Sequence, residues 1–538
     1  MGVTLLSRVG GLVRDVLVGR MFGDTVVNSA FAAAFQLPNM FRRLFGEGAL
    51  SAAFIPAYTD ACKADNVHGG HVEGGSQAGQ LASLTLYVMA LTTSALTVVI
   101  ELILLAVLLL APFDAERVLS LRLIMVMLPF MPLICCAAIF AGMLQVHGRF
   151  GAASSGPLVL NTFIIATGAW CLWQGPAAEG TAYLIGVATV LSGVTQCIYF
   201  YRLLRPHVRF TRAFREAMPR ARVMFKKFVP VAIGLGTLQL NATLDMFIAM
   251  YPVWVGPTLW GLTYPLDDAS NGILSQSQRL YQFPLGVFGV AVATAIFPLL
   301  SRLADQPASF VDALRRGIRL SLFIGLPASV GLVLVRSDLT SVLFEKFASG
   351  SGFSTEGTER AAMVVLGFAP GVWAYSLNHV LARTFYARGD TSTPMRVGLA
   401  AMAVNIALNV GLIWPFKEAG LAMSTSAAAV VQCVVLFVLV RKQLAADGQH
   451  VVDGVTLAGV LRIVAAAAVM GGAVWTMLWL WERPATFSGR LLRLGSASAL
   501  GVAMYGGCAL VLRMKEVRWL LDRQKAGNSG GTAEPVVE

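Results

Sequence analysis

Charge is what this chain has least of: only 13% of its 538 residues are Asp, Glu, Lys or Arg, where a soluble domain carries about 25%. A shortage of that size excludes a soluble enzyme, a disordered chain and a nucleic-acid-binding protein, although the net charge is +12. Seven cysteines occur without a CxxC pair, mostly inside apolar runs, and read as small side chains in helix contacts. The six histidines show no HxxxH or HExxH spacing, which speaks against a histidine metal site. No Gly-Lys-Ser/Thr phosphate loop is present, which speaks against an ATP-driven pump. A cleavable signal peptide is not expected either, because Arg8, Arg14, Asp15 and Arg20 interrupt the stretch where its apolar segment would lie. What fills the chain instead is apolar: 56% hydrophobic residues and a mean hydropathy of +0.69. The 53 glycines and 22 prolines fit transmembrane helices, where both are commoner than in soluble ones. The composition is that of an all-α polytopic membrane protein.

A spanning helix needs about 20 mostly apolar residues. Fourteen such runs are read near residues 1–22, 30–60, 80–111, 119–146, 153–174, 181–204, 225–252, 270–300, 317–336, 361–386, 395–415, 419–441, 457–482 and 490–513. An even count places both termini on one side. The loop after the sixth run carries Arg202, Arg205, Arg209, Arg212, Arg215, Arg220, Arg222, Lys226 and Lys227, whereas the next carries only Asp267 and Asp268. By the excess of Lys and Arg in cytoplasmic loops, both ends are expected in the cytoplasm.

Two halves overlay. Gln36-Leu37-Pro38 leads to Phe54-Ile55-Pro56, as Gln282-Phe283-Pro284 leads to Ile296-Phe297-Pro298. Leu144 to Arg149 is similar to Phe385 to Asp390, and the two offsets are nearly equal, 246 and 241 residues. Internal repeats of this kind build many transporters. The expected organisation is a first lobe over 1–204, a basic linker over 205–224 and a second lobe over 225–441. An appended helix pair over 457–513 and a cytoplasmic tail over 514–538 complete it. Between the prolines the first copy carries Asn39, Arg42, Arg43 and Glu47, where the second has only Val287-Phe288-Gly289-Val290.

An arginine at mid-bilayer costs about 2.5–3.5 kcal/mol. Arg8, Arg14, Arg42, Arg43 and Arg279 exposed to lipid would therefore cost on the order of 10 kcal/mol together. Arg43 and Glu47 are spaced i,i+4 and are expected to pair. Arg8 and Asp15 share nearly one face, and Gly10-Gly11 between them invites a kink that brings them closer. Arg14, Arg42 and Arg279 are then left without a local counter-ion, which points to an anionic ligand of phosphate type matched by planar guanidinium. The plainer alternative is that these arginines snorkel to the cytoplasmic surface.

A second intramembrane carboxylate, Asp245, lies in the seventh run. With Asn405 and Asn409, which share a face in the eleventh run, and Thr425 in the twelfth, it forms an oxygen-only set suited to Na⁺. The alternative is a protonated Asp245 bonded to those amides as interhelical glue. No other cofactor is expected.

Thr4-Leu5-Leu6-Ser7-Arg8-Val9, Arg14-Asp15 and Arg20-Met21-Phe22-Gly23 resemble the opening helix of the lipid II flippase family (MurJ/MviN). The segment Ala34 to Ala49, with Gln36-Leu37-Pro38-Asn39-Met40-Phe41-Arg42-Arg43, is similar to that family's second helix. Arg279 to Val287 and Tyr386-Ala387-Arg388-Gly389-Asp390-Thr391 resemble its helix eight and the turn after helix ten. The resemblance implies the MOP exporter fold, with two six-helix lobes around a cavity that opens alternately to each side. It also implies transport of undecaprenyl-diphosphate-linked muropeptide from the inner to the outer leaflet of the bacterial inner membrane. Cargo contacts are implied for Arg8, Arg14, Arg42 and Arg279, with Asn39 beside them and Asp15, Arg43 and Glu47 as supporting ion pairs. Helices thirteen and fourteen would hold the lipid tail, with membrane lipids and cell-wall synthesis proteins as further partners and no nucleic acid. The chain departs from the family at Ser29 and Gln278, where an acidic residue often stands, and this makes its cavity more electropositive.

Three other functions compete. Export of another lipid-linked saccharide or small amphiphile would use the same fold. A membrane-bound glycosyltransferase or phosphatase would need carboxylates or histidines in large loops, which the short loops here do not supply. A scaffold without transport leaves the buried arginines without a role.

Overall fold

The computed structural model describes residues 2–43, 49–67, 76–110, 112–211, 214, 217–346 and 351–519. The described residues of each of the fourteen apolar runs are mainly helical. The first is α1 (Gly2–Phe22), and the second is divided into α2 (Val26–Arg42) and α3 (Ala49–Val67). Helix α4 (Gln77–Leu110) is followed by α5 (Ala115–Met127) and α6 (Phe130–Val146), which Pro129 separates because a proline has no N–H to continue the ladder. The short α7 (Phe150–Ala153) precedes α8 (Gly156–Gln174), α9 (Ala178–Leu204) and the long α10 (Met218–Trp254). A two-residue hairpin, β1 (Thr258–Leu259) with β2 (Leu262–Thr263), leads to α11 (Ser270–Pro284).

Pro284 withholds the N–H that Leu280 would receive, and the ladder slips by one residue into a π turn over Leu285–Gly289 before α12 (Val290–Arg302). Then come α13 (Pro307–Phe344), α14 (Thr355–Phe368) and α15 (Val372–Ala387), with a 3₁₀ turn over Ala369–Gly371 between the last two. The chain continues through α16 (Ser392–Phe416), α17 (Glu418–Ala446), α18 (Gly454–Leu480) and α19 (Phe487–Val511).

The duplication read from sequence has a backbone counterpart. Pro38, Pro56, Pro284 and Pro298 all stand inside helices. Gly148 and Gly389 both adopt left-handed φ, +73° and +80°. The amide after each glycine bonds back to the fifth residue before it, Arg149 to Leu144 at 2.8 Å and Asp390 to Phe385 at 3.0 Å. Both are the same helix-ending motif, in which the missing Cβ makes the left-handed turn affordable.

By length and composition, ten helices among the described residues suffice to cross a membrane. The four expected spans outside that set, built from α1, α2–α3, α10 and α11–α12, carry Arg8, Arg14, Asp15, Arg42, Asp245 and Arg279. The polar spans are thus the ones that hold the candidate site.

The chain divides into two compact units, Met1–Arg279 with Phe344–Gly357, and Leu280–Leu343 with Thr358–Glu538. In the first, Phe54, Tyr58, Leu81, Leu123, Met127, Phe130 and Phe200 form a core that is at most 1% exposed. In the second, Phe310, Leu314, Val380, Leu381, Leu436 and Val440 play that part. The second unit also buries ion pairs: Arg319 donates to Glu516 at 2.6 Å, and Arg493 to Asp338 at 2.5 Å. Outward-facing Trp475, Trp479 and Leu480 on α18 and Val502 and Val511 on α19 are more than half exposed, as a lipid-facing surface requires.

Candidate substrate site in the first unit

Helix α1 is unbroken, and its glycines do something other than kink it. A Cβ on Gly10 or Gly11 would lie 3.4 or 3.7 Å from Nδ2 of Asn161, so the pair lets α8 approach closely. Asn161 donates to the Ser7 carbonyl at 3.0 Å and accepts from Arg14 Nη1 at 3.1 Å. The rest of the Arg14 guanidinium is taken by its neighbour: Nε and Nη2 both reach Asp15 Oδ1, at 2.9 and 2.7 Å. The other Asp15 oxygen lies 3.7 Å from Arg279 Nε on α11.

This corrects the expected charge pairing. Asp15 does not serve Arg8; it is shared by Arg14 and Arg279, two of the three arginines that sequence alone left without a counter-ion. The reason is packing: a helix brings i and i+7 to one side but two turns apart, whereas α11 delivers Arg279 directly beside Asp15. Arg8 is half-buried and makes no hydrogen bond or ion pair among the described residues.

Helix α2 supplies the other wall. Phe35, Asn39 and Arg42 are spaced i, i+4, i+7 and share one stripe. Asn39 donates to the Phe35 carbonyl at 2.9 Å and accepts from Arg42 Nε at 3.2 Å. The Arg14 guanidinium carbon lies 5.1 Å from the Phe35 ring centroid, a cation–π contact. Arg14 and Arg42 are therefore tied to one face of α2. Arg43 follows at the helix end, and Glu47, its expected partner, lies outside the described residues. Arg8, Arg14, Arg42 and Arg279 thus gather on α1, α2 and α11, with the Asp15 carboxylate among them bonded to Arg14 and 3.7 Å from Arg279.

Ser29, one of the departures from the family pattern, is fully buried and knits α2 to α11. Its hydroxyl accepts the Gly272 N–H at 2.9 Å, and its carbonyl accepts from Asn271 Nδ2 at 2.8 Å. Gln276 Nε2 donates to Asn28 Oδ1 at 3.3 Å. A Cβ on Gly272 would meet Asn28 and the Ser29 nitrogen at 3.0–3.1 Å, so this crossing also depends on a glycine. Neutral hydrogen bonds thus hold the place where relatives often carry an acid. Gln278, the other departure, is half-buried on α11.

The four residues of the expected cation site are divided between the units. Asp245 is buried on α10 in the first, where α10 packs on α2, α3, α4 and α5. Asn405, Asn409 and Thr425 lie together in the second. Asn409 Nδ2 donates to Asn405 Oδ1 at 3.0 Å, and Asn405 Nδ2 donates to Thr425 Oγ1 at 3.1 Å.

Two residues of the site escaped the reading of the sequence, Asn161 and Phe35. The first left a faint signal, as a lone amide in the apolar run after Pro157; the second left none, since one aromatic in a span is ordinary.

The sequence profile described as "Lipid II flippase MurJ" matches residues 18–492. Among curated relatives, a "Probable lipid II flippase MurJ" of Vibrio cholerae is 30% identical over 531 residues, covering 96% of each chain. One of Rhizobium tropici is 31% identical over 488 residues, covering 89% of this chain and 86% of the relative. Among solved structures, "Lipid II flippase MurJ, inward closed conformation" superposes with a TM-score of 0.74 at 20% identity, covering 96% of this chain and 98% of the other. An inward-facing MATE transporter of the MOP superfamily superposes at 0.60 and 13% identity over 82% of this chain and 95% of the other, a likeness of fold alone. With a profile match over most of its length and relatives at this identity and coverage, the chain belongs to the lipid II flippase MurJ family.

Proposed function

We propose that this protein carries lipid II, the undecaprenyl-diphosphate-linked peptidoglycan precursor, from the cytoplasmic to the outer leaflet of the bacterial inner membrane, leaving its cargo chemically unchanged. The observation that supports this most is the arginine-rich site on α1, α2 and α11, in a chain of this family. A diphosphate meets guanidinium in bidentate geometry, and a cluster of arginines is where an anion lowers the free energy. The basic loops support a cytoplasmic position for both termini. Exposed α18 and α19 fit a lipid tail.

The experiment is complementation of a flippase-depleted bacterium. Arg14→Ala, Arg42→Ala and Arg279→Ala should each abolish growth support at undiminished protein levels in the membrane. Lys at the same positions should be partly tolerated, because it keeps the charge and loses the fork. Growth with all three Ala variants would reject the site. Export of another lipid-linked saccharide is separated by asking whether lipid II itself builds up in the inner leaflet on depletion.

The membrane potential fits as a driving force. Moving each negative charge of a diphosphate out of a negative interior across 100 mV releases about 2.3 kcal/mol. Collapsing the potential while the pH gradient is held should stop translocation, and transport at an unchanged rate would refute this part.

A further inference from the structure

Helix α4 has the highest mean hydropathy of the spans, 2.6, with 11% of that stretch buried. It carries one charged residue, Glu101. Val98, Val99, Leu102 and Ile103 around it are all more than half exposed, as side chains facing lipid are. Nine residues separate Glu101 from the helix end at Leu110, about 14 Å at 1.5 Å per residue. That depth is near the middle of a hydrocarbon core about 30 Å thick. The carboxyl is half-buried, and its Oε1 is enclosed and accepts no hydrogen bond among the described residues.

Among the described residues, the charged groups on the helices packed on α4 do not pair with Glu101. Helix α6 has no charged residue, α3 carries Asp60, Lys63 and Asp65, and α5 carries Glu116, Arg117 and Arg122. Helix α10 carries Asp245 beyond its basic first turns. Among the described residues none of them forms an ion pair with Glu101. An ionised carboxylate at this depth is strongly unfavourable, whereas the neutral acid is much less so.

A second feature of α4 favours the acid form. Thr85, Met89, Thr93, Thr97 and Glu101 fall on a single i+4 row. The row turns slowly around the helix, so it starts in the buried face and brings Glu101 to the edge of the lipid. The hydroxyl protons of Thr85, Thr93 and Thr97 are committed to the carbonyls of Leu81, Met89 and Thr93, at 2.7, 2.6 and 2.9 Å. The hydroxyls therefore offer only acceptor lone pairs along the row. The group that fits next is a donor, which a protonated carboxyl is and a carboxylate is not.

We propose that Glu101 is a proton-binding site of the first unit. Its carboxylate takes a proton from water and is held as a neutral acid between the hydroxyl row and the lipid. It releases that proton only in a state that wets this face of α4, so proton occupancy biases the transport cycle, as unequal binding to two states must. The use in transport rests on the lipid II reading; the site itself does not.

The test uses the full-length protein in lipid vesicles. Dicyclohexylcarbodiimide, which partitions into lipid and modifies protonated carboxyls, should label Glu101 at neutral pH, as read by mass spectrometry of the peptide, and a water-soluble carbodiimide should not. Infrared difference spectra between wild type and Glu101→Gln should show a protonated-carboxyl stretch in wild type alone. Labelling should remove most translocation of fluorescent lipid II by wild type and leave the rate of Glu101→Gln unchanged. Absence of both the adduct and the stretch overturns the site, and an adduct without loss of translocation overturns its use in transport. Unlabelled wild type that moves no lipid II would count against the cargo assignment, while the adduct and the spectrum would still decide the site.

Discussion

Replacing Asp15 with Asn probes the site through the carboxylate between Arg14 and Arg279. Asp15 holds Arg14 through two bonds to one oxygen and sits 3.7 Å from Arg279 at the other, with side chains 18%, 12% and 28% exposed. Removing one partner of a fully buried pair costs about 3–5 kcal/mol, while exposed pairs contribute at most about 1 kcal/mol. The intermediate exposure puts Asp15→Asn at about 2 kcal/mol of destabilisation. The same change leaves two guanidiniums facing each other, and an added diphosphate should relieve that repulsion. Lipid II should then stabilise the variant more than wild type, by up to the same 2 kcal/mol, or about thirty-fold in affinity. The assay is thermal unfolding of the purified protein with and without lipid II, followed by a ligand titration. Combining Asp15→Asn with Arg14→Gln should destabilise by less than the two changes added, since they share one interaction. Wild-type unfolding of Asp15→Asn without ligand, or weaker lipid II binding by the variant, would refute the shared-carboxylate account.

Two further outcomes follow from other parts of the molecule. If Asp245, buried on α10, takes part in Na⁺ binding, wild type should unfold at a higher temperature in Na⁺ than in choline at equal ionic strength, and Asp245→Asn should not; equal wild-type curves would refute the cation role. At the start of α18, Asp453 accepts the Thr456 N–H at 2.6 Å, and bonds from Thr456 hold its carboxyl below the usual carboxylate range. A folded-state value below the unfolded one means the cap stabilises at neutral pH and is lost as the pH falls below about 4. Asp453→Ala should thus cost about 1 kcal/mol at neutral pH, and the gap to wild type should narrow in acid. A gap that does not change with pH would contradict the cap.

The sequence by itself determined which stretches are helical spans, because apolar length and proline position act locally and nothing later reverses them. It also determined that arginines placed in the most polar of those spans need a counter-charge or water, since the cost of unpaired charge in hydrocarbon is independent of fold. The shared ending of the two repeats was legible for the same reason: a glycine followed by a polar residue at a helix end takes one backbone form in both copies. The membership of the charge cluster was decided by tertiary packing alone. Asp15 and Arg279 are 264 positions apart, and no periodicity links them; only the crossing of α11 over α1 and α2, made close by Gly272 against Asn28 and Ser29, sets the carboxylate between two guanidiniums. Asn161 reaches Arg14 because Gly10 and Gly11 admit α8, a use of glycine that looks from sequence like a kink. Local patterns carry the free energy of entering the membrane, whereas pairing depends on distances of a few ångströms, and those exist only once the helices have packed.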